Sequence, residues 1–240
     1  MGHDFHFEKG ASFGDWLHTQ MIEAVTFEDA SWAIDRIRRV ESRLQAGREP
    51  ASQLTVEIPW LEEATAFTAP GRYIYFSRRL YQLCATDEQV AFVVGHEIAH
   101  HDLCHVALFH GWADKIARLP GATLFALFFS GLERLVYGPQ KECDADRHGL
   151  DLCLSAGYAG NHCLEFFDIL EHWALYLGDL DMVYGPDVES DDELDENASW
   201  TTKAQIWAWQ KKRGYLPIRD RRQMLRKHLE AKHPESLPPA

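Results

Sequence analysis

The sequence predicts an α+β protein that is mainly helical, with a small antiparallel or mixed sheet of about three strands. Three short runs between residues 53 and 79 predict strands: the first and third alternate apolar and polar side chains, which is the period of a β-strand, and the second ends in a Pro-Gly turn. Longer segments on both sides repeat their apolar residues every three or four positions, which is the period of an α-helix. We therefore expect a small sheet beside a larger helical part.

Length and composition are typical of one globular domain. The chain has 240 residues, of which 46% are hydrophobic and 25% charged. Its net charge of −13 argues against nucleic acid as a partner, because binding to phosphates needs a basic face. We expect a single domain over residues 1–240, with a core at about 28–177, an acidic loop at 187–196 and a basic helical tail at 203–232.

Three features bear on location. The opening residues have no apolar run after a basic start, so we expect no secretory signal and a cytoplasmic protein. The five cysteines are odd in number and have no paired spacing, which is typical of reduced thiols. The apolar run at residues 122–132 is about half the ~20 residues that a spanning helix needs. A buried helix is expected there, and a cleft cover or a peripheral membrane contact is the alternative.

Capping residues predict where two helices begin. Thr26 has the side chain of an N-cap and precedes an amphipathic pattern. Thr86 and Gln89 have the spacing of a capping box and open a helix that we expect to reach Gly111. The histidine-rich stretch VVGHEIAHHDLCH, residues 93–105, therefore lies on this second helix.

The pattern His-Glu-x-x-His within this helix indicates a metal site. His96 and His100 are one turn apart and about 40° around the helix, so both imidazoles can reach one ion. Glu97 lies beside them. Two neutral imidazoles bind Zn²⁺, and a glutamate between them is placed to take a proton from metal-bound water.

A catalytic zinc needs a third protein ligand. In one type of HExxH enzyme this is a histidine six residues after the second, preceded by a glycine, and Val106 and Leu103 exclude that type. Another type uses a glutamate from a downstream helix, and the segment ECDAD supplies Glu142. Asp146 follows one turn later on the same face, where it can accept the second N–H of a ligand histidine and fix its tautomer.

His101 and His105 form another i, i+4 pair, displaced around the helix. We expect them to be hydrogen-bonded structural residues, and a second metal site is the alternative. For Cys104 and Cys143, ligation of a metal or redox inhibition is the alternative to an ordinary packing role.

Three blocks of the sequence resemble the HtpX, OMA and CaaX-prenyl-protease family of zinc metallopeptidases, which are gluzincins. The blocks are ATAFTAPGRYIYFSRRL, DEQVAFVVGHEIAHHDLCH and KECDADRHGL, and the resemblance is good over about residues 28–157. It implies a zincin-like fold with an HExxH active-site helix. It also implies roles for five residues: zinc ligands His96, His100 and Glu142, general base Glu97, and histidine partner Asp146.

The chain departs from this family in three places. The late segment LPIRDRRQML resembles Thr-His-Pro-x-x-x-x-Arg and aligns Pro217 and Arg222, but Leu216 replaces the histidine. Thr65 stands where the family usually has asparagine. The long membrane-spanning helices of some members are absent, so the resemblance implies a soluble or peripheral protein, with Arg222 as a candidate site residue.

These observations predict a zinc-dependent metalloendopeptidase that acts on peptides or unfolded proteins. Hydrolysis would proceed by attack of zinc-bound water assisted by Glu97. We expect the substrate to lie extended along the third strand, where Tyr73 and Tyr75 would contact it. The oxyanion donor is expected to be Tyr215 or Arg222, and the sequence does not choose between them.

Two other classes of function are compatible with parts of the sequence. The first is a catalytically silent zinc-binding regulatory or interaction protein of the same fold, against which the presence of Glu97 argues. The second is a membrane-surface adaptor that uses residues 122–132 and the basic tail.

Overall fold

The computed structural model describes residues 11–68, 71–107, 132–185 and 216–234. Side chains are described from residue 14 in the first helix and from residue 138 in the helix that begins at Leu132. The acidic loop at 187–196 and Tyr215 lie outside the described residues, as does the apolar segment at 122–132 apart from the backbone of Leu132.

The described residues are mainly helical and contain one small sheet, as the sequence predicted. The helices are α1 (Ala11–Ala24), α2 (Ser31–Leu44), α3 (Arg78–Leu83), α4 (Asp87–Asp102), α5 (Leu132–Ser155), α6 (Gly160–Leu164), α7 (Phe166–Tyr176), α8 (Leu180–Tyr184) and α9 (Ile218–Lys232). The strands are β1 (Thr55–Glu57), β2 (Ala66–Thr68) and β3 (Tyr73–Phe76).

The sheet is mixed and has the order β1-β3-β2. β1 pairs with β3 in parallel, and β2 pairs with β3 antiparallel. β3 is therefore the central strand, and its main-chain N–H and C=O groups are used on both sides. The prediction that an extended substrate lies along β3 is wrong, because a peptide can add only to a strand with a free edge.

Helix α2 begins at Ser31, five residues after the predicted N-cap Thr26. The Thr26 carbonyl accepts the N–H of Trp60 at 2.8 Å, and Phe27 forms a β-bridge with Pro59. The chain is extended at this point because pairing with the segment after β1 takes the place of helix formation. The contacts of residues 26–27 with residues 59–60 therefore outweigh the preference of Thr26 for an N-cap position.

Helix α4 begins as predicted and ends earlier than predicted. Thr86 Oγ1 accepts the N–H of Gln89, and the Gln89 side chain accepts the N–H of Thr86, which completes the capping box. The helix ends at Asp102 because Cys104 adopts a positive φ of 57°, which no helical residue has. The predicted end, Gly111, lies outside the described residues.

Two glycines let α4 and α5 cross in close contact. A Cβ atom on Gly95 would lie 2.9 Å from the carbonyl oxygen of Gly149, and one on Gly149 would lie 2.7 Å from the nitrogen of His96. No side chain other than hydrogen fits at either position. The face of α5 that carries Glu142 and Asp146 is thereby held against the HExxH turn of α4.

Helix α9, which forms part of the predicted basic tail, is built into the core. Ile218, Leu225 and Leu229 are buried and belong to the same apolar cluster as α2, α4 and the sheet. Its basic residues Arg226 and Lys227 face solvent. Within the described part of the chain, we find no helix long and apolar enough to cross a membrane.

Candidate metal centre

The structure brings His96 and His100 of α4 together with Glu142 of α5. His96 Nε2 lies 3.1 Å from His100 Nε2 and 3.5 Å from Glu142 Oε2, and His100 Nε2 lies 3.6 Å from Glu142 Oε1. All three potential ligand atoms lie within 4.8 Å of one another. Among the described residues this is the only such group of three or more metal-binding side chains.

The far nitrogen of His96 is held by Asp146. His96 Nδ1 lies 3.0 Å from Asp146 Oδ1, and the Asp146 side chain is completely buried. A carboxylate at this distance accepts the Nδ1 proton, so the neutral form of His96 has its lone pair on Nε2, the atom that faces His100 and Glu142. Asp146 therefore selects the tautomer that a metal ligand requires.

Arg221 of α9 holds Asp146 in turn, and sequence analysis missed it. Its Nε donates to Asp146 Oδ2 and its Nη2 donates to Asp146 Oδ1, both at 2.7 Å. The neighbouring candidate, Arg222, is not in this site: it pairs with Asp168 of α7. Two parallel hydrogen bonds to a buried carboxylate fix both its charge and its orientation.

The charges of the centre compensate one another. Burial would lower the pKa of His96, but hydrogen bonds to Asp146 and Glu142 outweigh it and raise the pKa to about 10. Burial would likewise raise the pKa of Glu142, but His96 and His100 bring it down to about 2. Burial, reinforced by the charge of His96, lowers the pKa of His100 to about 3. The two carboxylates therefore favour the protonated form of His96.

Glu97 and the metal-binding group line one cleft. Glu97 is buried on the wall formed by α4, between the two histidines. The cleft is also lined by residues 64–66 at the start of β2 and by Arg221. The other lining residues are apolar: Leu80, Phe92, Val93, Phe166 and Leu170. The cleft therefore combines the metal-binding group with apolar side chains.

The two tyrosines proposed as substrate contacts lie elsewhere. The ring of Tyr73 stacks on His18 of α1 with centroids 3.6 Å apart, and the Tyr75 hydroxyl lies 3.2 Å from His18 Nδ1. Both tyrosines therefore fasten α1 to the sheet, and neither lines the cleft described above.

We expect Arg221→Ala to weaken both the fold and the metal centre. The substitution removes one of the two cationic groups that hydrogen-bond to the buried Asp146 carboxylate, and breaking such a buried pair costs up to about 3–5 kcal/mol. Loss of such an outer partner lowers metal affinity by about 10- to 100-fold. Denaturant unfolding of the metal-free protein and competition with a chelator measure the two effects.

Arg222→Ala is the matched control, because it removes the same side chain one residue away. The side chains of Arg222 and Asp168 are 38% and 44% exposed, so their ion pair is worth about 0–1 kcal/mol. Equal losses of stability and metal affinity in the two variants would contradict the role assigned to Arg221.

The chain was compared with protein families and with curated proteins. The model of Peptidase family M48 matches residues 33–237. No curated protein matches the chain. The family match covers the HExxH helix, the helix with Glu142 and Asp146, and α9 with Arg221, so it extends beyond the blocks on which the sequence resemblance depended. It confirms that resemblance and supports a protease of the metallopeptidase kind. The chain belongs to peptidase family M48.

Proposed function

We propose that this protein is a zinc-dependent metalloendopeptidase. The observation that carries the proposal is the convergence of His96, His100 and Glu142 on one point beside Glu97 in an open cleft. Three protein ligands with one position left open are the mark of a catalytic zinc site, whereas structural zinc sites use four.

The spacing of the donor atoms is compatible with zinc. Bonds of about 2.0–2.1 Å in tetrahedral geometry separate neighbouring ligand atoms by about 3.3 Å. The separations of 3.1, 3.5 and 3.6 Å lie on both sides of that value. When bound, zinc supplies a Lewis acid that polarises the scissile carbonyl and makes water more acidic. Its ligands would be the Nε2 atoms of the two histidines and the Glu142 carboxylate.

Glu97 is proposed to be the general base. Its carboxylate lies in the cleft at the level of the metal-binding group, which is where the attacking water must lose a proton. The same carboxylate can then deliver the proton to the leaving amine nitrogen. Asp146 and Arg221 take no part in this transfer: they keep the ligand His96 in one tautomer and orientation.

The substrate is proposed to add as a strand to the edge of β2. In the described part of the chain, β2 pairs only with β3, and Ala66 lines the cleft. The Thr65 carbonyl accepts the N–H of Ser77 at 2.9 Å, so Thr65 points its main-chain groups towards β3. Because pairing alternates in an antiparallel ladder, Ala66 points its N–H and C=O outwards, towards the cleft.

Ala66→Pro tests this binding mode, since it removes the outward N–H without removing a bond of the sheet. We expect KM to rise about 2- to 10-fold, the equivalent of one hydrogen bond, with a smaller effect on kcat. Ala66→Ser keeps the N–H and is the control. Unchanged KM in a folded Ala66→Pro protein would exclude binding along β2.

Zinc binding should release about one proton per ion near pH 7. His96 carries a proton there because its pKa is raised to about 10, and a ligand imidazole must be neutral. Zinc affinity should therefore increase by about tenfold for each unit of pH below that pKa. Calorimetric titration in buffers of different ionisation enthalpy counts the protons. Affinity that is independent of pH would contradict the assignment.

The experiment that tests the proposed function is zinc content per chain together with cleavage of casein. About one zinc per chain and casein cleavage that a chelator abolishes would support the peptidase. Bound zinc without cleavage would favour the silent zinc-binding protein of the same fold. Absence of bound zinc would reject both. Co-sedimentation with liposomes at low salt tests the membrane-surface adaptor, and no binding would reject it.

A further inference from the structure

His105 lies just beyond the HExxH helix and has no part in the mechanism above. It is buried, with 6% of its surface exposed. Its position depends on Cys104, whose φ of 57° turns the chain after α4 ends at Asp102. A non-glycine residue in the left-handed region is uncommon and persists where surrounding contacts require it. The turn carries His105 back to the helix it has just left.

The contact that His105 makes is with a proposed zinc ligand. His105 Nδ1 lies 3.1 Å from His100 Nδ1, and the ring centroids are 5.0 Å apart at an angle of 69°. Two ring nitrogens at this distance require one proton between them, so one ring donates and the other accepts. Which ring donates is decided by the other side of His100.

On that other side, His100 Nε2 faces His96 Nε2 at 3.1 Å and Glu142 Oε1 at 3.6 Å. A metal ligand must offer the lone pair of that nitrogen, so the proton of His100 is on Nδ1. His100 therefore donates, and His105 accepts through Nδ1 and carries its own proton on Nε2.

We propose that His105 is a positioning residue, which fixes the tautomer and ring orientation of His100 by accepting its Nδ1 proton. This inference rests on the proposed zinc site. The two ligand histidines are then held by different means: His96 by the carboxylate of Asp146, and His100 by a neutral imidazole. A neutral acceptor adds no further negative charge to a buried centre that already contains Glu142 and Asp146.

His101, the neighbouring histidine, does not share this arrangement. Its Nε2 lies 2.5 Å from Thr68 Oγ1, so it connects α4 to the end of β2. Among the described residues, neither His101 nor His105 belongs to a group of three metal-binding side chains. The second metal site considered for the pair has no support in that part of the chain.

The test uses the full chain with zinc and three variants. His105→Leu removes the acceptor, His105→Gln keeps an acceptor in its amide oxygen, and His101→Gln is the control at the neighbouring histidine. We expect His105→Leu to lower zinc affinity by about 10- to 100-fold, and the two glutamine variants to stay within a few-fold of the wild type. Competition with a chelator measures affinity, and circular dichroism of the metal-free variants checks the fold.

Imidazole ¹⁵N NMR of the zinc-loaded wild type tests the proposal without a substitution. Protons on His100 Nδ1 and His105 Nε2 are expected, and a proton on His105 Nδ1 would overturn the proposal. Equal loss of affinity in His105→Leu and His105→Gln would indicate a packing role and overturn it too. A wild type that binds no zinc would instead reject the proposed function, and tautomers of the metal-free protein would then decide whether His105 accepts from His100.

Discussion

Glu97→Gln should abolish casein cleavage and leave zinc binding intact. The substitution keeps the size of the side chain and removes the carboxylate that we propose takes the proton of the attacking water. General-base catalysis of this kind typically contributes about 10²- to 10⁴-fold, so kcat should fall by that amount. The ligands His96, His100 and Glu142 are untouched, and zinc content should remain about one per chain.

The control for this variant is Glu88→Gln, which makes the same chemical change on α4. Glu88 lies in the first turn of that helix, about two and a half turns before Glu97, and it does not line the cleft. We expect near-normal cleavage from Glu88→Gln. A Glu97→Gln protein that cleaves casein at the wild-type rate would remove Glu97 from the mechanism.

Glu142→Ala should nearly eliminate zinc binding. It removes the one proposed ligand on the described part of α5 and leaves two histidines of a single helical turn to hold the ion. Since loss of an outer partner already costs about 10- to 100-fold in affinity, loss of a direct ligand should cost more than about 100-fold. Casein cleavage should be lost with the metal, and excess zinc should restore part of it. Chelator competition and cleavage at increasing zinc concentration measure both effects.

Asp144→Ala is the matched control on the same helix. Asp144 pairs with Arg147 at 2.9 Å, and both side chains are about two-fifths exposed. Its replacement should change neither zinc affinity nor cleavage, because the pair is close to solvent. Zinc affinity of Glu142→Ala equal to that of Asp144→Ala would exclude Glu142 as a ligand.

The two histidines of the metal-binding group could be predicted because the evidence for them lies in the spacing of residues within one helix. The spacing of His96 and His100 determines that both point to one side of a helix, whatever that helix packs against. The capping box at Thr86 is equally local, and it was predicted correctly. Glu142 lies on a different helix from the two histidines. It was predicted from the segment ECDAD, in which Glu142 and Asp146 lie one turn apart on the same face and suit the roles of ligand and histidine partner.

The sequence pointed to Arg222, whereas Arg221 is the arginine that contacts Asp146. Helical periodicity does not distinguish these two positions. Ile218, Leu225 and Leu229 define the buried stripe of α9, and positions 221 and 222 flank that stripe on opposite sides. Which flank faces the cleft depends on how α9 rotates against α5 and α7. That rotation is a property of the packed core and cannot be obtained from the pattern alone.

The substrate strand was misassigned for a related reason. Alternation identified β3 as a strand, and the short run before a Pro-Gly turn identified β2, but the order of strands in a sheet depends on pairing that these patterns do not encode. β3 has the stronger apolar pattern because it is central, and the same property leaves it without a free edge. β2 has the weaker apolar pattern, and it is the strand that borders the cleft.

The hydrogen bonds from Arg221 to Asp146 affect the time at which the proposed metal centre can form during protein synthesis. Arg221 lies 75 residues after Asp146 in the chain. At about 5–20 residues per second, a ribosome adds it roughly 4–15 s after the aspartate. During that interval the nascent chain contains every proposed ligand and the proposed general base. Asp146, the partner of His96, is not yet held by Arg221. The proposed metal centre is therefore complete only after α9 has folded, and we expect a partly synthesised chain to be a poor peptidase.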